Sequence, residues 1–365
     1  MAYTTIDDPS LYFQIALYTG NGNTGKNIPL SSANFTGEYV GQDIQPDWIW
    51  IKQRGATTDH GMFDSSRGVT KNLKTNEGDA ESTEAQSVTG FGSNDFTLGS
   101  SGDYNGADDE HVAWIWKANG GTTTTNDASS TSVGTIDSVF QVNSTAKFSI
   151  VTYTGNGSSG ASFAHGLGTA PQWVLTKNRD TTRSWLVGHH KVGFTHTAGH
   201  LNSDVDRDED SVYWNDTAPS STVVTLGNNE GGNESGDKFV AYCFTEVQGY
   251  SKFGKYIGNG NADGPFVYTG FKPSLIIRKV TSASGGWLIQ DNKRTIFNGL
   301  NSTTNGLRPN SNEAEFDFFD IDYLSNGFKI RTTEANHNAS GETFIYMAFA
   351  EHPFVSSEGV PTTAR

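Results

Sequence analysis

Residues 18–22 read Tyr-Thr-Gly-Asn-Gly, and nearly the same five residues return twice further along the chain. Residues 153–157 repeat them without change, and residues 256–260 read Tyr-Ile-Gly-Asn-Gly. Each copy opens a block of roughly a hundred residues, which is the size of an ordinary domain. Self-similarity on this scale restricts the possible folds more strongly than any other pattern in the sequence. The sequence therefore predicts a domain present in three copies.

Further shared elements follow the turn in each block, always in the same order. They are a proline-led strand (46–52, 171–177, 273–279), a weaker match (73–75, 201–203, 300–302), a third element (96–98, 224–226, 328–330) and a closing apolar run (111–116, 239–244, 344–349). Chance does not produce one order of five elements three times. A residue needed for the fold is therefore expected to recur, and one unique to a single block is a surface variation or a site.

The repeats divide the chain into segments. Repeat 1 spans residues 11–118 and is followed by a Thr/Ser/Gly-rich linker over 119–146. Repeat 2 spans 147–249, repeat 3 follows directly over 250–355, and 356–365 reads as a tail. Because almost no linker separates repeats 2 and 3, we expect these two to pack rigidly together and repeat 1 to move.

The composition is that of an all-β protein. The chain of 365 residues holds 42 glycines and 12% aromatic residues, with short alternating stretches between Gly/Asn turns. No window shows the apolar spacing of a helix. We predict three tandem β-sandwiches, jelly-roll-like in form. The closing runs are apolar at nearly every position, which predicts central strands or an interface between domains, with a bulkier face formed by Val112, Trp114, Trp116, Val240, Tyr242, Phe244, Ile345, Met347 and Phe349.

Charge and cysteine usage narrow the function classes. The formal net charge of −15 argues against nucleic acid and against an anionic membrane surface as partners. No stretch approaches the roughly 18 apolar residues of a membrane span. Cys243 is the only cysteine and lies in an apolar run, so a buried structural thiol is expected rather than a nucleophile. With no secretory signal at the start, folding in a reducing cytoplasm is expected.

Two motifs suggest nucleotide binding and metal binding, but the residues around them do not favour either. Residues 20–25 match the glycine pattern of dinucleotide-binding loops, but no helix start follows to receive a pyrophosphate. A tight Asn-Gly turn explains the same residues. The histidines of repeat 2 lack the spacing of a zinc protease, so a polar loop is the better interpretation. They are His189, His190, His196 and His200.

An acidic stretch in repeat 2 resembles the start of a calcium-binding loop. Asp204, Asp206 and Asp208 place carboxylates on alternate residues. The sharp-turn glycine and the closing glutamate of an EF-hand are both missing. A solvated acidic loop is the leading interpretation, and the three aspartates remain weak calcium candidates. Otherwise no metal or cofactor is expected.

The residues that follow are glycan-binding candidates. Tyr213, Trp214, Asn215 and Asp216 combine an aromatic ring with side chains able to bond hydroxyl groups. The alternative is a tryptophan tucked into the local core. For catalysis, the sequence has no Gly-x-Ser-x-Gly elbow and no carboxylate pair that recurs between the blocks, so no enzyme is predicted.

The best-developed copy resembles a known repeat. Residues 148–157, Phe-Ser-Ile-Val-Thr-Tyr-Thr-Gly-Asn-Gly, and residues 165–177, His-Gly-Leu-Gly-Thr-Ala-Pro-Gln-Trp-Val-Leu-Thr-Lys, resemble a repeat in virion proteins of marine tailed phages. There it occurs in tail-fibre or receptor-binding-like proteins. The resemblance covers all three blocks. Repeat 1 inserts extra residues before Pro46, and repeat 3 replaces His-Gly-Leu-Gly by residues 268–271, Tyr-Thr-Gly-Phe.

The resemblance implies a function without chemistry. It offers no catalytic residues and implies a structural or adhesive virion protein, made in the bacterial host cytoplasm. We expect a tail fibre or tail-tip component that attaches to the host surface, in contact with other virion proteins, with host polysaccharide as a possible ligand and a homotrimer as the oligomer. The alternatives are a capsid decoration or head-fibre protein, and an array of carbohydrate-binding modules acting on host polysaccharide.

Overall fold

The computed structural model describes residues 2–30, 43–294, 304–318 and 320–362. Within these ranges the regular secondary structure is almost entirely β-strand, as the sequence predicts, and every strand pairing is antiparallel. The weaker match predicted at 300–302 lies outside the described residues. Each of the three repeats forms a sandwich of one large and one small sheet.

Repeat 1 contains nine strands and one short helix. These are β1 (Phe13–Thr19), β2 (Lys26–Pro29), β3 (Trp48–Gln53), β4 (Gly61–Asp64), β5 (Lys71–Lys74), β6 (Ser82–Thr83), β7 (Val88–Phe91), β8 (Asp95–Leu98), α1 (Gly102–Asn105) and β9 (Glu110–Trp116), after a 3-10 turn at Pro9–Leu11. The large sheet has the order β1-β9-β3-β4-β5-β6, and the small sheet has the order β2-β8-β7. The closing strand β9 is thus central, between β1 and β3.

Repeat 2 has the same plan with two strands added at its edge. Its elements are β10 (Thr124–Asn126), α2 (Ala128–Thr131), β11 (Ser138–Asn143), β12 (Phe148–Thr154), β13 (Ala161–Ala164), β14 (Trp173–Asn178), β15 (Leu186–His189), α3 (Ser211–Trp214), β16 (Val223–Leu226), α4 (Glu230–Asn233) and β17 (Lys238–Phe244). The sheets have the orders β10-β11-β12-β17-β14-β15 and β13-β16. The expected linker therefore contains β10 and β11, which extend the large sheet of the second sandwich.

Repeat 3 closes the chain. Its elements are β18 (Ser251–Ile257), β19 (Phe266–Tyr268), β20 (Phe271–Val280), β21 (Trp287–Asp291), β22 (Thr304–Leu307), β23 (Phe316–Phe318), β24 (Ile321–Leu324), β25 (Gly327–Ile330), α5 (Ala335–Asn338) and β26 (Thr343–Pro353). The sheets have the orders β18-β26-β20-β21-β22-β23 and β19-β25-β24. Part of the expected tail folds back, because Ser357 bonds to Asp7 near the start of the chain.

The recurring turn is held by a buried asparagine at the end of a short helix. In repeat 2 the Asn233 side chain accepts from the backbone N–H of Asn156 at 2.9 Å and donates to the carbonyls of Ser158 and Gly227 at 2.9 and 2.8 Å. The Tyr153 hydroxyl donates to the carbonyl of Gly232 in the same helix at 2.7 Å. Asn105 and Asn338 make the equivalent contacts in repeats 1 and 3.

The two glycines of the turn are required by geometry. A Cβ atom at Gly155 would overlap the backbone carbonyl of Glu234, because the chain passes very close to the end of α4. Gly157 has φ of 71°, in the left-handed region that favours glycine. The other two copies of the turn show the same close approach and the same positive φ. The repeated motif therefore fixes the turn after the first strand of each sandwich against the short helix that precedes the closing strand.

The closing strands lie in an interface between the repeats. Ala113 and Ile115 of β9 face the core of their own sandwich, whereas Trp114 and Trp116 face a second core that all three large sheets share. This shared core contains the bulky side chains of each closing strand and most of the tryptophans. The two-sided burial predicted for the closing runs is confirmed.

The shared core also attaches repeat 1 to repeats 2 and 3. Trp48 of repeat 1 stacks on Tyr242 of repeat 2 with ring centroids 4.5 Å apart, and Phe13 stacks on Phe349 of repeat 3 at 5.1 Å. Such aromatic pairs bury large areas on both partners. The expectation that repeat 1 moves independently is wrong, because its large sheet forms part of the core of the other two.

A partly buried network of polar contacts joins repeat 2 to repeat 1. The carboxylate of Glu81 accepts from Arg67 at 3.0 Å and from both Nε and a terminal nitrogen of Arg179 at 3.0 and 2.9 Å. Arg67 also pairs with Asp64, which accepts from the Tyr242 hydroxyl at 2.7 Å. Each buried charge thus has hydrogen-bonded partners, as burial demands.

An equivalent network of polar contacts joins repeat 1 to repeat 3. Glu315 accepts from Arg294 at 2.7 Å and from two nitrogens of Arg54 at 3.0 and 2.8 Å. Arg294 pairs with Asp291 at 2.7 Å, and Asp291 accepts from the indole N–H of Trp114 at 3.0 Å. Strand pairing places Asp64 and Asp291 at equivalent positions in their sheets.

The third interface, between repeats 3 and 2, has the same backbone contact but different side chains. The backbone N–H of Arg207 donates to the carbonyl of Thr281 at 3.1 Å. At the other two interfaces the backbone N–H groups of Glu81 and Glu315 make the same kind of bond. At this interface His189 takes the position of the buried aspartate, Val192 that of the arginine and Met347 that of the aromatic donor. The three sandwiches therefore surround a pseudo-threefold axis whose interfaces have diverged.

Candidate functional site

The three weak calcium candidates do not converge on one point. Asp204, Asp206 and Asp208 are all exposed, and Asp208 accepts a hydrogen bond of 2.8 Å from the hydroxyl of Tyr213. The carbonyl of Asp204 accepts from the buried ammonium of Lys279 at 3.2 Å. In the described ranges no three His, Cys, Asp or Glu side chains come together as a metal site would require. The acidic segment lies along the boundary between repeats 2 and 3.

Trp214 is a core residue and offers no surface for stacking. It ends the helix α3, which begins where the Asp210 carboxylate accepts from the N–H of Val212 at 3.0 Å. Its side chain is only 1% exposed and lies 5.6 Å from the ring of Phe194, edge to face. A sugar ring cannot reach this indole in the folded protein, so the alternative interpretation as a core tryptophan describes it.

The other glycan candidates have separate roles. Asn215 caps the end of α3 with a left-handed backbone (φ 51°), and its N–H donates to the carbonyl of Ser211 at 2.8 Å. Asp216 is also left-handed, with φ of 49°, and is exposed. Tyr213 points its hydroxyl to Asp208. The four residues form a helix end and do not form one binding surface.

An open groove lies on the other side of Tyr213. It has a volume of about 460 Å³, and its wall is partly polar and partly apolar. Burial lowers the pKa of His200 below its usual value, although Asp208 partly opposes this effect. The polar side chains of the groove can form hydrogen bonds with hydroxyl groups. Its wall includes Arg183, Leu186, His200, Tyr213, Asn229 and Glu230.

Two of the predicted loop histidines belong to the interface with repeat 3. His189 is buried with its ring 5.3 Å from that of Trp173, and burial together with neighbouring His190 lowers its pKa to about 3. The Nε2 atom of His190 lies 2.6 Å from the carbonyl oxygen of Phe253. The interpretation as a polar loop is therefore wrong for His189. The sequence could have shown this, because position 189 lies as far from its shared proline as Asp64 and Asp291 lie from theirs.

Three buried lysines recur at one position, which sequence reasoning did not single out. Lys52, Lys177 and Lys279 end the proline-led strands, and each ammonium donates to backbone carbonyls. Lys177 reaches Gly78 of repeat 1 at 3.0 Å and the carbonyl of Asn178 at 2.8 Å. Burial lowers the pKa of Lys177 to about 7. Because the lysine recurs in every repeat and bonds to backbone, it serves the fold.

Cys243 is buried in the core of the second sandwich, as predicted. Burial raises the pKa of its thiol above the usual value, so the reactive thiolate is disfavoured. Among the described helices none has the length and apolarity needed to cross a membrane.

One family matches nearly the whole chain. Residues 8–353 match a family described as a domain of unknown function (DUF7483). No curated protein and no solved structure matches the chain. The match runs through all three repeats, which agrees with a folding unit of three sandwiches around one shared core. The chain belongs to this family of domains of unknown function.

Proposed function

We propose that this protein is a structural component of a virion, most specifically a tail fibre or tail-tip protein that attaches the particle to the host surface. The observation that supports it is the shared aromatic core, which fuses three sandwiches into one body. A single body with loops on its surface suits a protein that makes a lasting contact with a host surface. The resemblance of residues 148–177 to repeats of phage virion proteins supports the same role.

The half-buried carboxylates between the repeats support a structural rather than an enzymatic function. Glu81 and Glu315 are each bonded by two arginines, so neither is poised to take a proton from a substrate. A general base has to be within hydrogen-bond reach of a substrate and has to titrate near the working pH. Burial alone would raise the pKa of Glu81, but Arg179 and Arg67 outweigh it and hold the pKa below its usual value.

Purified virions provide the test. Mass spectrometry of particles from the phage that encodes this chain should detect it among the virion proteins. Gold-labelled antibodies against the recombinant protein should mark the tail in electron micrographs. Labelling of the head instead would support the alternative of a capsid decoration or head fibre. A chain found only in infected cells and never in washed particles would contradict both.

A further inference from the structure

A second groove lies between β19 of repeat 3, the connection from the end of repeat 2 into β18, and the first residues of the chain. Its volume is about 360 Å³. This is near the lower end of the range of about 300–1,000 Å³ that small-molecule sites occupy. The wall is formed mainly by Tyr3, Glu246, Gln248, Ser251, Lys252 and Tyr268.

An exposed aromatic ring stands at the rim of this groove. The side chain of Tyr268 is 53% exposed, although it lies in a strand whose central residue, Val267, is buried. Its hydroxyl oxygen is 3.2 Å from that of Tyr3, and Tyr3 in turn donates to the carbonyl of Gly270 at 2.8 Å. These contacts hold the Tyr268 ring in place while leaving much of it open to solvent.

At this groove repeat 3 departs from repeat 2. Tyr268 begins the stretch that replaces the His-Gly-Leu-Gly element, and in repeat 2 the corresponding His165 and Leu167 are buried. Gly270 has φ of 85°, and a Cβ atom there would meet the Tyr3 hydroxyl at 2.8 Å. A residue that only the fold required would recur in the other repeats. The exposed ring and its support are therefore a local departure from the shared plan.

The polar side of the groove carries balanced charge. Glu246 accepts from the N–H of Phe253 at 2.8 Å and from the ammonium of Lys252 at 3.4 Å. Lys252 is 38% exposed, so its ammonium has donors left for a ligand. Gln248 is exposed at the same wall and adds an amide that can both donate and accept. A ligand with many hydroxyl groups and no net charge suits this arrangement.

We propose that this groove binds a neutral saccharide, with one pyranose ring stacked on Tyr268 and its hydroxyl groups bonded to Lys252, Gln248 and Glu246. A pyranose has an apolar C–H face and a polar rim, which match an open aromatic ring beside neutralised polar groups. The inference rests on the proposed function, since it names the class of host-surface molecule that the protein contacts.

Binding to an array of neutral hexose and N-acetylhexosamine trisaccharides tests it. The full chain should bind at least one of them, and Tyr268→Ala should weaken that binding at least tenfold. Phe266→Ala is the matched control, because Phe266 is 47% exposed on the same face of β19 but lies outside the groove wall. It should change the affinity less than twofold. Thermal melting should show both variants folded.

Three results would overturn the inference. These are no binding to any neutral trisaccharide, equal losses in the two variants, or binding confined to acidic glycans. Virion labelling separates this inference from the function on which it rests. A chain present in virions that binds no saccharide overturns the saccharide site alone, whereas a saccharide-binding chain absent from virions overturns the virion role alone.

Discussion

The hydroxyl of Tyr242 in repeat 2 donates a hydrogen bond of 2.7 Å to the carboxylate of Asp64 in repeat 1, and both side chains are buried. At the next interface the indole of Trp114 makes the same bond to Asp291 at 3.0 Å. Two different aromatic donors thus serve one carboxylate position. These two interfaces keep the same hydrogen bond, while the residue that donates it has changed.

Tyr242→Phe should lower the free energy of unfolding by about 1–3 kcal/mol, because the buried Asp64 loses a donor that water cannot replace. Urea unfolding at pH 7 measures the change. Met347→Leu is the control, since Met347 holds the equivalent position at the interface without a buried carboxylate, and a swap of similar volume there should cost less than about 1.5 kcal/mol. Equal effects of the two substitutions would contradict the prediction.

Asn233→Ala should destabilise the protein by about 3 kcal/mol. The side chain makes three hydrogen bonds to the backbone of the recurring turn, and each is worth about 1 kcal/mol. Asn228→Ala, at an exposed position five residues earlier, should stay within about 0.5 kcal/mol of the wild type. If both variants unfold at the wild-type urea concentration, the asparagine does not hold the turn.

Glu81→Gln should cost about 1.5–3 kcal/mol at pH 7, because Arg67 and Arg179 lose the charged acceptor that they share. The folded-state pKa of Glu81 lies below the unfolded value of about 4.3. The stabilisation by the carboxylate is therefore complete above that pH and is lost as the pH falls through the folded-state pKa. The difference between wild type and variant should shrink in acid, as chemical unfolding at pH 7 and pH 3 would show. Glu334→Gln, at an exposed position, should leave the pH dependence unchanged.

Lys177→Met should flatten the rise of stability with pH. The folded-state pKa of Lys177 is about 7 and the unfolded value is about 10.4, so between these values the unfolded chain binds more protons. Wild-type stability should therefore rise with pH, by at most about 1.4 kcal/mol per pH unit from this group. Urea unfolding at pH 7, 8 and 9 gives the slopes. Lys238→Met, at an exposed position, should keep the wild-type slope, and an unchanged slope for Lys177→Met would contradict the prediction.

The sandwich plan could be predicted because its signals are local. The recurring turn and the closing runs each sit within a few residues, and period-two patterning indicates strands directly. The buried asparagines were missed although they too recur. Asn105, Asn233 and Asn338 each lie five residues before the first residue of the closing strand. The three residues are all asparagine, but the residues around them differ between the repeats. A single polar residue in a short helix also produces no periodic pattern that would mark it.

The sites could not be predicted in the same way, because exposure depends on what lies across the fold. Trp214 and Tyr268 are both aromatic residues beside polar loops, yet one is buried and the other stands in solvent. The difference comes from Phe194, which covers the first, and from the edge position of β19, which leaves the second open. The Thr/Ser/Gly composition of 119–146 likewise hid β11, whose pairing with β12 is a long-range choice.

The pseudo-threefold arrangement is carried by one gene, and this sets how the protein can change over generations. In a ring of three identical chains, every substitution appears three times and alters three surfaces together. Here a substitution alters one third of the molecule and leaves the other two as they were. The Tyr268 groove of repeat 3 and the added strands of repeat 2 are such single alterations. The molecule can thus vary one outer face under selection while the aromatic centre continues to hold the three parts together.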